Sequence, residues 1–143
     1  MRTFSYPATF EPGDEGGFVA TFPDVPEAIT DGATMAEARS MAADALGVAL
    51  LTYVETGRPL PDASARSEGQ VTISPYPEVA AKLAVIEAFQ AAGISKSELA
   101  RRMGKDEREV RRILDPDHGT KLGALTEALA VLGQRLVIGV EAA

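Results

Sequence analysis

The stretch from residue 95 to residue 114 constrains the fold of this chain more than any other. It reads Ser-Lys-Ser-Glu-Leu-Ala-Arg-Arg-Met-Gly-Lys-Asp-Glu-Arg-Glu-Val-Arg-Arg-Ile-Leu. Ser95 followed three residues later by a glutamate fits a capping box, which opens a helix. Gly104 suits a tight turn, and Asp106 can cap a second helix. The pattern therefore predicts two short helices joined by a tight turn.

The apolar residues of this stretch fit the steric needs of a helix-turn-helix unit. A small side chain is needed where the two helices touch, and Ala100 supplies it. The second helix needs apolar anchors underneath, which are Val110 and Ile113, with Leu99 and Met103 above them. The spacing of Ala100, the turn glycine and Val110 resembles that of phage repressors. The alternative is a plain amphipathic hairpin with a solvated charged face.

The polar residues of the same stretch predict double-stranded DNA as a partner. In helix-turn-helix proteins the second helix enters the major groove of DNA. Arg108 and Arg111 can pair with guanine, and Glu107 can accept a hydrogen bond from cytosine. Lys96 and Ser97, at the start of the first helix, are placed for phosphate contacts. The predicted DNA-binding residues are Lys96, Ser97, Lys105, Glu107, Arg108, Arg111 and Arg112.

The formal net charge of −7 argues against a nucleic-acid binder when the chain is taken as a whole. However, residues 1–78 carry four basic and twelve acidic side chains, a net charge of −8, whereas residues 79–143 carry ten basic and nine acidic ones, a net charge of +1. This division predicts two surfaces with different partners. Because acidic side chains weaken the field of the second helix, we expect a homodimer or tetramer to bind a palindromic operator.

The first half of the chain, residues 1–77, reads as an α+β domain. Alternating apolar residues predict strands, and Thr34 with Glu37 forms another capping box. The predicted elements are strands at 3–10, 18–22, 28–30 and 71–73 and a helix at 34–55. The order is therefore β-β-β-α-β, with one helix available to cover one face of the sheet.

The second half, residues 78–143, reads as an all-α domain with a terminal strand. The predicted elements are helices at 78–92, 95–103, 106–114 and 121–132 and a strand at 135–140. The strand has no mate within its own half, and an unpaired apolar strand edge invites another chain. We therefore expect a homodimer formed through the second half, with a tetramer as the alternative.

Composition narrows the function classes further. The chain has 0 cysteines, which excludes disulfides, thiolate chemistry and cysteine-based zinc sites. No apolar run approaches the roughly 18 residues that a membrane-spanning helix needs, and the first residues do not resemble a secretory signal. We expect a cytoplasmic protein that binds no cofactor and no metal.

A metal-dependent, ribonuclease H-like nuclease is the rival interpretation. Asp14, Asp24 and Asp31 lie in turns near strand ends, and such enzymes need several carboxylates converging on metal ions. The single histidine, His118, lies in a polar loop, and the sequence shows no nucleophile–base pair and no Gly-rich phosphate loop. We therefore predict that the chain is not an enzyme. A stand-alone transcriptional regulator with a sensor domain is a third interpretation.

Several motifs of the first half together resemble the HicB antitoxin family. They are residues 6–8 (Tyr-Pro-Ala), 16–26 (Gly-Gly-Phe-Val-Ala-Thr-Phe-Pro-Asp-Val-Pro) and 31–38 (Asp-Gly-Ala-Thr-Met-Ala-Glu-Ala). A strand ending in Phe-Pro-Asp, followed by Gly-x-Thr-x-x-Glu-Ala at the start of a helix, is the pattern of that family. Residues 94–114 and 132–136 are similar to a HicB subclass that carries a phage-repressor-type helix-turn-helix after the first domain.

The resemblance implies an antitoxin that binds and neutralises a HicA-type toxin, a small basic ribonuclease, and represses its own operon. It also implies that the first domain is a truncated ribonuclease H fold. The negative charge of residues 1–78 suits a basic partner. From position and charge, we expect toxin contacts at Asp14, Glu15, Asp24, Glu27 and Asp31. The alternative role of these residues is that of turn residues and solvated acids.

Overall fold

The computed structural model describes residues 1–142, which form two compact units, Met1–Ala80 and a second that begins at Ala81. None of the helices in this described part is long and apolar enough to cross a membrane. The elements in chain order are β1 Tyr6–Pro12, β2 Phe18–Thr21, β3 Ile29–Gly32, α1 Met35–Glu55, β4 Val71–Ile73, α2 Pro77–Ala92, α3 Lys96–Met103, α4 Glu107–Leu114 and α5 Leu122–Val131.

The strands of the first unit form one antiparallel sheet in the order β3-β2-β1-β4. In its register, Phe10 lies opposite Ala20, and Tyr6 lies opposite Ile73. The α+β class and the β-β-β-α-β order predicted from sequence are confirmed. The first strand begins at Tyr6 and reaches Pro12, so it lies later in the chain than the predicted strand at 3–10.

Helix α1 covers one face of this sheet. Its start is capped as predicted: the Glu37 N–H donates to Thr34 Oγ1 at 3.1 Å, and Glu37 Oε2 accepts from the Ala33 N–H at 3.0 Å. The helix lies so close to β3 that a Cβ atom at Gly32 would be 2.4 Å from the backbone nitrogen of Ala38. Only glycine fits at position 32. The buried residues of α1 are Ala38, Ala42, Leu46, Gly47, Ala49, Leu50, Tyr53 and Val54.

The opposite face of the sheet is more open. Strand pairing places Glu11, Val19 and Asp31 in one row across three strands, and Thr9, Thr21 and Ile29 in the next row. Ile29 keeps 64% of its surface exposed, and Glu11 and Asp31 are also exposed. Only one helix covers the sheet of this unit, as the sequence predicted.

The second unit is helical and contains two apolar clusters. One consists of Ala81, Val85, Ile113, Leu125, Ala128 and Leu129. The other consists of Leu99, Ala100 and Val110, with Met103 and Leu114 packed against it. Leu122, which the sequence placed inside the last helix, lies in its first turn and is 39% exposed.

The strand predicted at 135–140 is not formed within the single chain. Residues 134–142 contain no strand or helix. The last backbone hydrogen bond in the described part of the chain is donated by the Gln134 N–H to the Leu129 carbonyl oxygen. Leu136 packs against the helical core, whereas Val137, Ile138 and Val140 are exposed. The physical reason is that a strand needs backbone partners, and the second unit offers only helices whose own backbone groups are already bonded.

Candidate functional site

The helices α3 and α4 are joined by the tight turn that the sequence predicted. The Glu98 N–H donates to Ser95 Oγ at 3.0 Å, and the Glu109 N–H donates to Asp106 Oδ1 at 2.8 Å, so both helices have side-chain caps. Gly104 ends α3 in the left-handed conformation, with φ 66° and ψ 31°, which glycine adopts without steric cost. The predicted ends of both helices, at Met103 and Leu114, are confirmed.

Apolar side chains hold α4 against α3. Leu99, Ala100 and Val110 are buried together, and Ile113 is buried in the neighbouring cluster. The first turn of α4 carries Glu107 and Glu109, and its last turn carries Arg111 and Arg112. This arrangement follows the helix macrodipole, because acidic groups are favourable at the N-terminus and basic groups at the C-terminus. The helix therefore concentrates positive charge toward its C-terminal end.

Most residues predicted to bind DNA lie on the surface of this pair of helices. Lys96, Ser97, Arg108, Arg111 and Arg112 are exposed. The two others, Lys105 and Glu107, are half-buried. Thus the structure brings all seven predicted residues onto α3, α4 and the turn between them.

Three of these residues form a network between the starts of the two helices. The Ser97 hydroxyl donates to Glu107 Oε1, and the Arg111 guanidinium donates to Glu107 Oε2 at 3.2 Å. Both carboxylate oxygens of Glu107 are therefore occupied. A carboxylate held in this way positions Arg111, whereas the sequence assigned Glu107 to a cytosine.

The remaining cations divide into paired and unpaired groups. Lys105 Nζ lies 3.5 Å from Glu127 Oε2 on α5. Arg101 and Arg102 both donate to the carboxylate of Glu98, and these two guanidinium groups lower its pKa to about 2. Within residues 1–142, the side chains of Lys96, Arg108 and Arg112 make no hydrogen bond or ion pair. These three charges are available to a ligand.

The acidic residues predicted to bind the toxin fall into two groups. Asp14, Glu15 and Asp31 are exposed at the end of the sheet where the β1–β2 turn lies. Glu11 and Asp31 flank Val19 in one cross-strand row. Since neighbouring strands are about 4.8 Å apart, the backbones of these two residues are roughly 10 Å apart. We call Glu11, Asp14, Glu15 and Asp31 the acidic end of the sheet.

Asp24 and Glu27 are engaged within the first unit instead. Asp24 Oδ2 accepts hydrogen bonds from the backbone N–H and the hydroxyl of Ser64, at 2.9 and 2.8 Å, and so anchors the long segment between α1 and β4. Glu27 accepts from the Tyr53 hydroxyl at 2.8 Å and from Arg58 at 3.2 Å. The Tyr53 bond is the main reason that the pKa of Glu27 is lowered.

The carboxylates named for the rival nuclease do not form a metal site. Asp24 is bonded to Ser64, apart from the acidic end of the sheet that includes Asp14 and Asp31. In residues 1–142, no three His, Asp or Glu side chains are grouped so that they could hold a metal ion. His118 Nδ1 lies 3.2 Å from Thr120 Oγ1, in an exposed loop.

The sequence interpretation missed one residue, Lys82. This lysine on α2 is only 4% exposed, and its Nζ atom donates to the carbonyl oxygens of Arg112 and Ile113 and to Thr120 Oγ1. Burial lowers its pKa to about 8, although Asp115 opposes this shift. The signal was visible in the sequence, because a helical projection places position 82 between the apolar positions 85 and 86.

Comparison with known proteins assigns the first unit to a family. Residues 5–84 match the family described as "HicB_like antitoxin of bacterial toxin-antitoxin system". This match ends before α3, so it does not bear on the helix pair α3–α4.

Proteins whose family is known align with most of this chain. Antitoxin HicB 1 of Photorhabdus laumondii is 38% identical over 143 residues, covering 99% of this chain and 90% of the relative. Antitoxin HicB of Escherichia coli K12 is 39% identical over 131 residues, covering 92% and 95%. Antitoxin HicB of Pseudomonas fluorescens is 36% identical over 121 residues, covering 84% and 83%. The chain therefore belongs to the HicB-like family of antitoxins of bacterial toxin–antitoxin systems, and it is an antitoxin and not an enzyme.

Proposed function

We propose that this antitoxin neutralises a small HicA-type ribonuclease toxin through residues 1–77 and represses its own operon through residues 78–143. The toxin part rests on family membership and on the acidic end of the sheet. The DNA part rests on one observation above others: α4 is a capped helix that presents exposed arginines beside a tight, glycine-ended turn. Both activities belong in the cytoplasm, where the operator and the toxin's RNA targets occur.

The exposed charges of α3 and α4 suit double-stranded DNA. Arg108, Arg111 and Arg112 lie on the side of α4 away from the buried Val110 and Ile113. Arginine pairs bidentately with guanine in the major groove, and each such pair contributes about 1–3 kcal/mol to discrimination between bases. Lys96 and Ser97 at the start of α3 are suited to phosphate, because the N–H groups of a helix N-terminus attract anions.

The acidic end of the sheet suits a basic toxin. Glu11, Asp14, Glu15 and Asp31 are exposed and lie on neighbouring strands and their connecting turn. Opposite charges steer two proteins toward each other and exclude partners of the wrong sign. In this proposal Asp14, Glu15 and Asp31 contact the toxin directly, whereas Asp24 and Glu27 shape the surface through Ser64, Tyr53 and Arg58.

Dimer formation is part of the DNA proposal. Val137, Ile138 and Val140 expose 56%, 61% and 98% of their surfaces, which is costly for a single chain in water. Two copies of residues 135–140 paired antiparallel would supply the missing backbone partners and cover these side chains. A dimer would also place two α4 helices on the two halves of a palindrome. Light scattering should therefore report a dimer or tetramer, and Ile138→Asp should shift it to monomer.

The DNA proposal is tested with a duplex that covers the region directly upstream of the reading frame for this chain. Arg111→Ala should weaken binding by about 1–3 kcal/mol, and Arg108→Ala should act similarly. Arg58→Ala is the control, because Arg58 lies in the first unit and pairs with Glu27. If the wild-type chain shows no preference for this duplex over a scrambled one, the DNA proposal is wrong.

The toxin proposal is tested by co-expressing the tagged chain with the small reading frame adjacent to its gene. A basic partner of fewer than roughly a hundred residues should co-purify in a fixed ratio. The triple variant Asp14→Asn, Glu15→Gln, Asp31→Asn should bind this partner more weakly. Its affinity should also depend less on salt concentration than that of the wild type. A triple change on exposed acids elsewhere, Asp62→Asn, Glu68→Gln, Glu55→Gln, is the matched control. Equal binding by both triple variants would contradict the role of the acidic end of the sheet.

A further inference from the structure

Lys82 is a charged side chain enclosed by the second unit. Only 4% of its surface is exposed, and it is the one buried polar or charged residue in the described part of the chain. Burying an ammonium is costly unless it is hydrogen-bonded. Its three N–H groups meet three oxygens, at 3.0 Å for Arg112 O, 2.8 Å for Ile113 O and 2.7 Å for Thr120 Oγ1. The site is therefore fully satisfied and specific for a three-donor cation.

The oxygens that Lys82 meets belong to the end of α4. The last four carbonyl groups of a helix have no partner within the helix, and Arg112 and Ile113 contribute two of them. The Arg112 carbonyl receives further donors, the Asp115 N–H and Thr120 Oγ1, both at 3.3 Å. A cation at a helix C-terminus also interacts favourably with the helix dipole. Lys82 thus acts as a C-cap supplied by another helix.

The same turn of α4 carries Arg111 and Arg112 on its exposed side. Ammonium and guanidinium groups therefore lie on opposite sides of one helical turn. If Lys82 no longer donates, the Ile113 carbonyl loses this bond and the Arg112 carbonyl keeps only its two 3.3 Å bonds. The turn that carries both arginines then loosens. Helix ends that lack partners fray in this way.

We propose that Lys82 is a positioning residue for DNA binding, which fixes the last turn of α4 and thereby the presentation of Arg111 and Arg112. This inference rests on the proposed binding of DNA by α4. It adds a residue that does not touch DNA and that lies on a different helix from the residues that do. Its effect on affinity comes through the order of one helical turn.

Chemical rescue tests the proposal in the full chain. Because the chain has 0 cysteines, Lys82→Cys introduces a single thiol that can be alkylated in the unfolded state before refolding. Bromoethylamine gives a side chain of lysine length that ends in an ammonium. Propyl iodide gives a side chain of the same length that ends in a methyl group. The two products differ only in the group that meets the three oxygens.

Affinity is measured for the duplex from directly upstream of the chain's reading frame, at a temperature where circular dichroism shows both products folded. The aminoethyl product should bind within about threefold of wild type. The propyl product should bind about tenfold or more weakly, since roughly 1.4 kcal/mol corresponds to a factor of ten. Hydrogen exchange should be faster at the amides from 112 to 118 in the propyl product.

Equal affinity of the two folded products would overturn the proposal while leaving DNA binding intact. Absence of wild-type binding to this duplex would remove the proposed DNA function, and the inference with it. If the propyl product does not refold, Thr120→Val removes only one of the three acceptors of Lys82. That variant should weaken binding about two- to tenfold, in line with the loss of one hydrogen bond, and unchanged binding would count against Lys82.

Discussion

The Nζ atom of Lys82 lies 2.8 Å from the carbonyl oxygen of Ile113, beneath the last turn of α4. This bond joins helix α2 to the end of the helix that carries the exposed arginines. A buried charge at such a position makes the stability of the second unit dependent on pH.

The pH dependence has a definite sign. Burial lowers the pKa of Lys82 from 10.5 to about 8, so between these values the unfolded chain binds more protons than the folded chain. Stability from this group therefore rises with pH across that window. In denaturant unfolding, the free energy of unfolding of the wild type should rise relative to that of Lys82→Met from pH 8 to pH 10, by no more than about 3 kcal/mol. A flat difference between the two curves would contradict the shifted pKa.

Glu98 provides a second case, at acid pH. Hydrogen bonds from Arg101 and Arg102 lower its pKa from 4.5 to about 2. Its stabilising contribution is therefore complete above pH 4.5 and is lost as the pH falls toward 2. Carbon NMR of the Glu98 carboxyl group should show it still ionised at pH 3. In the double variant Arg101→Ala, Arg102→Ala, its midpoint should move upward, and an unmoved midpoint would rule out this cause.

Two glycines should respond to alanine in opposite directions. At Gly32, the new Cβ would be 2.4 Å from the nitrogen and 2.7 Å from the Cα of Ala38, so α1 must shift off the sheet. Gly32→Ala should destabilise the first unit by about 1–3 kcal/mol or more. At Gly123 in α5 nothing lies within 4 Å, and Gly123→Ala should stabilise by about 0.5–1 kcal/mol. Thermal melts of both variants give the comparison.

Asp24 should act through Ser64. Its carboxylate accepts two hydrogen bonds from that residue, so Asp24→Ala should release the middle of the segment between α1 and β4. We expect faster hydrogen exchange at the Ser64 amide and a loss of about 1 kcal/mol in unfolding free energy. Asp14→Ala, an exposed turn variant, is the matched control and should change neither quantity. Identical exchange at Ser64 in both variants would show that the pair does not hold the segment.

Local patterns in the sequence predicted most elements of the fold. The capping residues Thr34, Ser95 and Asp106 bond their own helices through backbone groups three residues away, so a short window of sequence contains both partners. The strand at 71–73 was also predicted with its observed bounds. The strand predicted at 135–140 is absent from the single chain, because an alternating pattern indicates a tendency toward β structure but contains no partner strand.

The placement of the candidate DNA-binding residues on two short helices and their turn could be predicted from the sequence, but their contacts within the protein could not. The spacing of Glu107 and Arg111 in the sequence predicts that they lie one turn apart on α4. Only the folded pair of helices brings Ser97 to the other carboxylate oxygen of Glu107. Likewise, Asp24 and Ser64 are forty residues apart in the chain and become partners only through the fold.

The helix–turn–helix pattern of residues 95–114 was determined by the sequence alone, because caps, a turn glycine and apolar spacing are local. What only the tertiary structure decided is how the end of α4 is held. Lys82 lies 31 residues from Ile113, and its ammonium can be buried only where three oxygens from the end of α4 and the loop after it converge. In a short segment, the ammonium of a lysine is more stable in water than buried. The fold offsets this cost by supplying all three acceptors.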